Sequence, residues 1–529
     1  MNRDNQENIT YGGSIQAGDI IAAQCDYDAV SISGPITEQR FSHHRAVDTP
    51  SGAPYFESSL PNLASSTNSD TLYLIKYEPS KTYRKWLIGL YCFFFMGAYI
   101  TSYYTFIQYV YSKVQKDFYP DVVSLNISGP CSVNSSTADD EKQTKIQQKA
   151  ATWSMYYNMA AGIPAVFSNV LLGSSTDKFG RKFLFFLPCI GTFIRMALSV
   201  AGIYFNFDLK FHLIGYVIEG STGQMFTMLV VCFTYVADIT QGNGKMRSFG
   251  ITLVELSIGM ALSAFSFTTG YFIQSYGFFL PMLSSGILIA MSTCVVFFIP
   301  ESFPKSKRNT SESIFIKIKT AYDLFLGSFN RGRRWKYNIL MLVFAVTIFG
   351  AFGRYSVEPI YQLGAPFCMS STKIGYFATL RNLVQQAVGM SMIRVLQMFL
   401  SDETIGMIGC VSFAGGMLTE GLAKTETMLY IVPVVGAFGM LTVPIVRSLL
   451  SKLTRSDQQG AVFAAIAAVE TSLNVGGGVA ATAIYNHTVG VQRGFVFFVF
   501  AACNIVGFLL MGIFKHFSRR STQTLLEIR

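Results

Sequence analysis

The sequence predicts an all-α membrane protein of twelve transmembrane helices arranged in two six-helix lobes. Three observations carry that expectation. Half of the 529 residues are hydrophobic, only 14% are charged and the mean hydropathy is +0.37, a balance that one or two soluble domains cannot bury. Apolar stretches of about 20 residues recur, each long enough to cross roughly 30 Å of hydrocarbon at about 1.5 Å per residue. A long charged segment then divides these stretches six and six.

The first six spans are read at 86–111, 151–175, 183–204, 212–236, 248–273 and 277–299. The second six are read at 337–361, 373–400, 404–423, 428–451, 461–485 and 494–514. These runs are too long for barrel strands and do not alternate apolar with polar, so their backbone groups must be satisfied within helices. The resulting organisation is a disordered cytoplasmic tail at 1–83, a lobe at 84–299, a cytoplasmic linker at 300–336, a second lobe at 337–515 and a short tail at 516–529. The N-terminal tail is rich in Ser, Asn, Asp, Pro and Gly and lacks a signal-peptide pattern. Within the linker, 314–325 has apolar residues at helical spacing and reads as a helix lying on the membrane surface.

Basic residues in short loops set the orientation. Lys178, Arg181 and Lys182 follow the second span, Lys245 and Arg247 follow the fourth, and the central linker is the most basic segment. That side is expected to face the cytoplasm, with both termini. The loop at 112–150 lies opposite, its lysines offset by Asp117, Asp121, Asp139, Asp140 and Glu141. It carries Asn126 and Asn134 in glycosylation acceptor triplets. Cys131 in this loop and Cys368 after the seventh span share an oxidising side where a bridge can persist, two free thiols being the alternative. The remaining seven of nine cysteines are scattered without metal spacing.

The net charge of +10 follows from this topology and from contact with anionic head groups of the lipid bilayer. No basic patch interleaved with aromatics points to nucleic acid. No nucleophile with its base, metal constellation or phosphate-cradling loop points to an enzyme, a cofactor or a metal. The oligomeric state is left open, a monomer being compatible.

Between the second and third spans stands GSSTDKFGRK. Gly173 allows helices to approach, Gly180 permits the turn, and Asp177 can meet the positive end of a helix in the other lobe while Arg181 holds it. Lys182 completes the cationic set, and Asp238, in YVADIT at 235–240, is grouped with it. An ordinary basic loop obeying topology is the alternative. The second lobe repeats only Asp402, in LSDETIG, without the basic residues.

Charged groups at bilayer depth cost at least about 2.5–3.5 kcal/mol each, so each is a functional candidate. Glu255, in LVELSIGMALS of the fifth span, can take up a proton on an acidic side and release it when re-solvated or paired. A structural hydrogen bond to a neighbouring helix is the alternative. Glu470, in AAVETSLNVGGG of the eleventh span, is its counterpart in the second lobe. Arg447, just after Pro444, can clamp an anion or pair with a carboxylate, unless it only snorkels to the interface. Arg354 and Glu358, four apart, share a face and can pair. Arg381 can contact a substrate, and Gln224, near the middle of the fourth span, can hydrogen-bond one. Arg195, Glu219 and Glu420 read as packing groups.

GSSTDKFGRK matches the loop signature of the major facilitator superfamily, and the region from about 84 to 515 resembles its proton-coupled folate transporter and thymic stromal cotransporter branch. The residues that carry this likeness are YVADIT, LVELSIGMA at 253–261, APFC at 365–368, IGY at 374–376 and VPIVRSLLSKL at 443–453 followed by Gln459-Gly460-Ala461. The resemblance implies that Glu255 matches the carboxylate linked to proton coupling and Arg447 an arginine needed for transport. It further implies that Cys131 and Cys368 bridge, and that Tyr361 stands at a substrate-side position. Gln224 departs from an acidic residue of the folate-carrying members and Ala351 from a histidine. The implied function is therefore proton-coupled symport of a small organic anion, folate-like or larger, such as a muramyl peptide or cyclic dinucleotide. The implied location is the plasma membrane or an endosome or lysosome. A uniporter or exchanger without proton coupling, and a non-transporting receptor or scaffold, are the rival readings.

Overall fold

The computed structural model describes residues 83–118, 137–240, 244–303, 334–454 and 459–527. The expectations that fall on the N-terminal tail, the 314–325 linker helix, Asn126, Asn134 and Cys131 lie outside these residues. A 3₁₀ turn, Tyr83–Leu87, leads into α1 (Ile88–Phe118), followed by α2 (Thr137–Phe179), α3 (Arg181–Tyr204), α4 (Leu209–Ser221), α5 (Gln224–Ile239), α6 (Gly244–Tyr276) and α7 (Phe279–Phe298). The second lobe holds α8 (Arg334–Leu363), α9 (Ser371–Asn382), a π-helical turn (Leu383–Met390), α10 (Met392–Phe399), α11 (Asp402–Leu422), α12 (Glu426–Val435), α13 (Thr442–Leu453), α14 (Gln459–Thr488) and α15 (Phe495–Glu527). Taking α4 with α5, α9 with α10 and α12 with α13 as single broken rods, the described residues form twelve spans, six to a lobe.

Eight of these helices are long and apolar enough to cross a membrane, and the α12–α13 rod, bent by 42°, makes a ninth. The other three rods are α2, α9–α10 and α14. They supply the two seams where the lobes meet, α2 against α14 and α6 against α9. Helices at such a seam bring polar and small residues that the other lobe shields from lipid, which lowers their apparent hydropathy.

The sequence reading placed a loop over 112–150, and this is corrected in part, because α2 begins at Thr137. The segment TADDEKQTKIQQKA is built of good helix formers. It extends the helix by roughly 20 Å at about 1.5 Å per residue. Its inner face is buried through Gln143, Ile146, Gln147 and Ala150, and Gln143 donates a hydrogen bond to the Tyr111 hydroxyl. At the other end of the chain α15 runs through Glu527, past the expected end of the last span.

The packing is different at the two ends of the bundle. At the end away from the GSSTDKFGRK loop, the far end, one hydrophobic core joins both lobes, with Phe106, Tyr157 and Met282 in the same cluster as Tyr361, Phe413 and Tyr485. At the hinge end the core separates in two. One part belongs to the first lobe, around Phe95, Phe185 and Tyr235, and the other to the second, around Phe344, Ile445 and Val462. The hydrogen bonds between described residues that cross from lobe to lobe follow the same pattern. Tyr485 Oη donates to Gln147 Oε1 at 2.8 Å, Gln148 Nε2 to the Asn486 carbonyl at 2.9 Å, Asn486 Nδ2 to Thr152 Oγ1 at 3.0 Å, Asn158 Nδ2 to Ser356 Oγ at 3.2 Å, and, nearer mid-membrane, Thr379 Oγ1 to the Ser263 carbonyl at 3.1 Å and Asn382 Nδ2 to the Leu262 carbonyl at 3.3 Å. The lobes are therefore closed at the far end and parted at the hinge end.

One far-end contact depends on a proline. Pro359 lies inside α8 and has no N–H to give the carbonyl four residues back. That carbonyl belongs to Tyr355, and the Tyr103 hydroxyl of α1 donates to it.

The α6–α9 seam is close because glycine lines it. A Cβ at Gly270 would stand 2.5 Å from the Ser371 carbonyl oxygen, and a backbone atom cannot swing aside. Gly270→Val is expected to cost about 1–3 kcal/mol through overpacking, seen as a lower thermal unfolding midpoint of the purified chain. An unchanged midpoint would contradict this close approach.

Candidate functional site

Among the described residues, the end of the hinge motif is held by the fourth span and by the chain just past α7. Gly180 has φ 85° and serves as N-cap of α3, a left-handed conformation that glycine adopts without a Cβ clash. It offers no side-chain cap, and Glu301, just past α7, supplies one. Its carboxylate accepts from the backbone N–H of Arg181 at 2.8 Å and of Lys182 at 3.1 Å, placing negative charge at a helix N-terminus. Arg181 Nε lies 2.8 Å from Asp238 Oδ2, to which Ser302 Oγ also donates at 2.9 Å. The Arg181 guanidinium stands 5.0 Å from the Phe303 ring centroid. Lys182 Nζ donates to the Phe297 carbonyl. Gly173, Asp177 and Lys178 lie on helical backbone whose side chains are outside the described residues.

The second lobe has a counterpart that its local sequence conceals. Asp402, at the start of α11, lies 2.7 Å from Lys452 Nζ at the end of α13 and accepts from Gln397 Nε2 at 2.9 Å. The polarity is reversed between lobes. The third span brings the cation and the fourth the anion in the first lobe, whereas the ninth brings the anion and the tenth the cation in the second.

Deeper at the parted hinge end, Arg447 on α13 pairs with Glu470 on α14 and lies 5.6 Å from the Phe344 ring centroid. The pair is half-buried, with side-chain exposures of 35% and 17%. Glu255 on α6 is exposed, yet the groups around it still desolvate it, and the charge of Arg447 acts on it across the gap between lobes. No hydrogen bond or ion pair between described residues ends on Glu255. Gln224 stands at the middle of the span Leu209–Ile239, as read, but directly after a break at Thr222 and Gly223, with φ 55° at Gln224 and 83° at Gly223, and it is buried.

The far end brings together residues that the sequence treated separately. Arg381 on α9 meets Glu358 and lies 3.3 Å from Glu420 Oε2, while Arg354 Nε lies 3.6 Å from Glu358 Oε2. The expected Arg354–Glu358 pair thus exists but shares its carboxylate with Arg381. Glu420, read as a packing group, is 0% exposed inside this cluster. Tyr361 donates to the Glu420 carbonyl at 3.2 Å and lines a far-end recess of about 630 Å³ with Glu141, Lys424 and Arg493. In the first lobe Arg195 and Glu219, read as separate packing groups, form their own buried pair at 2.7 Å, with Arg195 also donating to Ser102. Cys368 is disulfide-bonded, whereas Cys92, Cys189, Cys232, Cys294, Cys410 and Cys503 are free thiols. Among the described residues no group of His, Cys, Asp and Glu could hold a metal ion.

Two lobes of six helices, closed at one end and parted at the other, with ionisable groups facing the gap, define a membrane transporter. The chain belongs to the Major Facilitator Superfamily, whose family model matches residues 141–481. This makes it a carrier and not an enzyme. It is 28% identical over 404 residues to the "Lysosomal proton-coupled steroid conjugate and bile acid symporter" of Rattus norvegicus, the match covering 74% of this chain and 86% of that one. It is 24% identical over 372 residues to the "Proton-coupled folate transporter" of the same species, covering 70% and 80%. Among solved structures it is similar to the "human organic anion transporter MFSD10", with a TM-score of 0.58, 14% identity and coverage of 81% of this chain and 99% of that one. It is similar also to the "D-xylose-proton symporter", with a TM-score of 0.56, 14% identity and coverage of 80% and 97%.

Proposed function

We propose that the chain is a proton-driven symporter of small organic anions, moving solute and proton together towards the cytosol by alternating access. The observation that carries the reading is Glu255, a first-lobe carboxylate on which the charge of second-lobe Arg447, itself paired with Glu470, acts. A carboxyl group that can be either protonated or drawn to an arginine links its proton to the distance between lobes. The relatives named as proton-coupled carriers of steroid conjugates, bile acids and folate favour the same chemistry and an anionic solute.

In this reading the hinge end faces the cytoplasm with both termini, and the first and last segments, 1–83 and 516–529, are its tails around lobes at 84–299 and 337–515 joined by the 300–336 linker. The parted state is then inward-open. Glu255 and Glu470 exchange the proton. Gln224, Arg354, Glu358, Tyr361, Arg381 and Arg447 contact the solute in one phase of the cycle or another. The residues of GSSTDKFGRK with Asp238 close the cytoplasmic gate, Cys131 bridges to Cys368, and Asn126 and Asn134 carry glycans. Residence in a lysosome or endosome, or in the plasma membrane beside an acidic medium, supplies the proton gradient.

The test is uptake of labelled estrone sulfate, taurocholate and 5-methyltetrahydrofolate into proteoliposomes holding the full chain. An inward acid gradient is expected to drive at least one of them above its outside concentration, and collapsing the gradient with a protonophore is expected to abolish the excess. Equal uptake with and without the gradient would remove proton coupling from the reading.

A further inference from the structure

At the closed far end, four charged side chains are withdrawn from water together: Arg354, Glu358, Arg381 and Glu420, each no more than 6% exposed. With both carboxylates ionised their charges cancel, yet their hydrogen bonding is incomplete. Arg354 Nη2 has no acceptor, Arg354 Nε reaches Glu358 Oε2 only at 3.6 Å, and Glu420 Oε1 has no donor. The Arg354 guanidinium is held in place all the same, 4.9 Å from the Tyr355 ring centroid and 6.0 Å from that of Phe413. A buried guanidinium whose Nη2 is unused and whose Nε is only loosely paired lacks an acceptor group. A buried carboxylate oxygen without a donor is where a hydrogen would sit.

These two deficits are complementary. Protonating one carboxyl of the Glu358–Glu420 pair leaves the cluster with one net positive charge, and one monovalent anion neutralises it. We propose that the cluster is a proton-exchanging anion subsite, in which Glu420 or Glu358 accepts a proton and Arg354 with Arg381 then holds a carboxylate or sulfate group of the solute. The inference rests on the reading of the chain as a proton-linked anion carrier, and it assigns the loading step to a place distinct from Glu255.

The site is shut in this conformation. Tyr104, Glu358, Gln362 and Arg381 surround a cavity of about 10 Å³, room for about one water at most. The groups facing the two carboxyls are Tyr103 and Tyr104 of α1, Arg354, Tyr355 and Tyr361 of α8, and Arg381 of α9. Arg493 near α15 acts on Tyr361, and Tyr361 in turn on Tyr485 of α14. Apart from the pair itself, these are arginines and phenols, so the carboxyls are the groups that exchange a proton in the acidic range. When the far end opens, Tyr103 and Tyr104 leave with the first lobe and solute and proton reach the cluster from one side.

The test uses the full-length chain and whichever of the three labelled probes the wild type accumulates under an acid gradient. Equilibrium binding is measured at about pH 5.5 and about pH 7.5. One linked proton permits up to about 100-fold weaker binding over two pH units, and the wild type is expected to weaken at least about tenfold. Glu420→Gln, which imitates the protonated carboxyl, is expected to reduce that dependence to within about threefold, with binding at the higher pH made tighter. Glu358→Gln supplies the same test where Glu420→Gln does not yield a folded, monodisperse protein. Full pH dependence retained in the folded variant overturns the subsite while the wild type's gradient-driven uptake leaves the symport reading intact. A wild type that accumulates no probe against its gradient overturns both.

Discussion

Replacing Arg381 with alanine is expected to cost about 3–5 kcal/mol of folding stability, because it removes one partner from a fully buried ionic cluster and leaves charge uncompensated. Arg381 engages Glu358 and Glu420 at once, and neither carboxylate has water to turn to. Arg381→Lys should recover only part of the loss, since a single ammonium does not reproduce the forked geometry that reaches two carboxyls. Arg447→Ala is the natural comparison. Its pair with Glu470 is partly exposed at the parted end, where solvent can take over much of the interaction, so a loss of about 1 kcal/mol or less is expected. Thermal or denaturant unfolding of the purified protein in micelles gives the ordering. Equal losses at the two arginines would mean that the far-end cluster is hydrated and not buried.

Glu255→Gln is expected to abolish accumulation of solute against its gradient while leaving downhill flux. A two-unit pH difference carries about 2.7 kcal/mol per proton, so a one-to-one symporter can concentrate its solute up to about 100-fold. Glutamine has nearly the same size and cannot carry that proton, so the ratio should fall to about one. Substituting aspartate keeps the exchangeable group and should preserve accumulation with an altered pH profile, which a merely structural role would not produce. Accumulation at the wild-type level in the glutamine variant would remove Glu255 from the coupling mechanism.

The twelve-rod plan was legible because hydrocarbon imposes one length scale on every span, and even the rods that α2 and α14 supply keep that length where their hydropathy weakens. What the sequence could not reveal is whatever depends on residues distant in the chain. Asp402 looked like a degenerate repeat because its cation, Lys452, comes from the last turn of another helix. Glu301 went unnoticed although it follows the seventh helix at once in IPESF, a carboxylate beside a helix end being the available signal. The Arg354–Glu358 spacing predicted a pair, but i and i+4 say nothing about Arg381 or Glu420, which arrive from α9 and α11. The helical start at Thr137 was hidden for a different reason. Its charged, amide-rich composition looks like a solvated loop until Tyr111 and Tyr485 are seen to pack on one side of it. The break at Gly223 and the π turn at Leu383–Met390 are equally tertiary, and each turns the following residues to a different face than continuous periodicity assigns.

Pro359 has a consequence for how the far end lets go. The acceptor that Tyr103 uses is a main-chain oxygen, freed by the imino acid one turn later, so the side chain at 355 plays no part in the bond and can vary without loosening it. If α1 swings away as the proposed cycle requires, that oxygen has no amide waiting inside α8 and must be hydrated by incoming water. In that cycle the water that wets the passage takes over the bond that had kept it dry, and entry of solvent and release of the latch become one event.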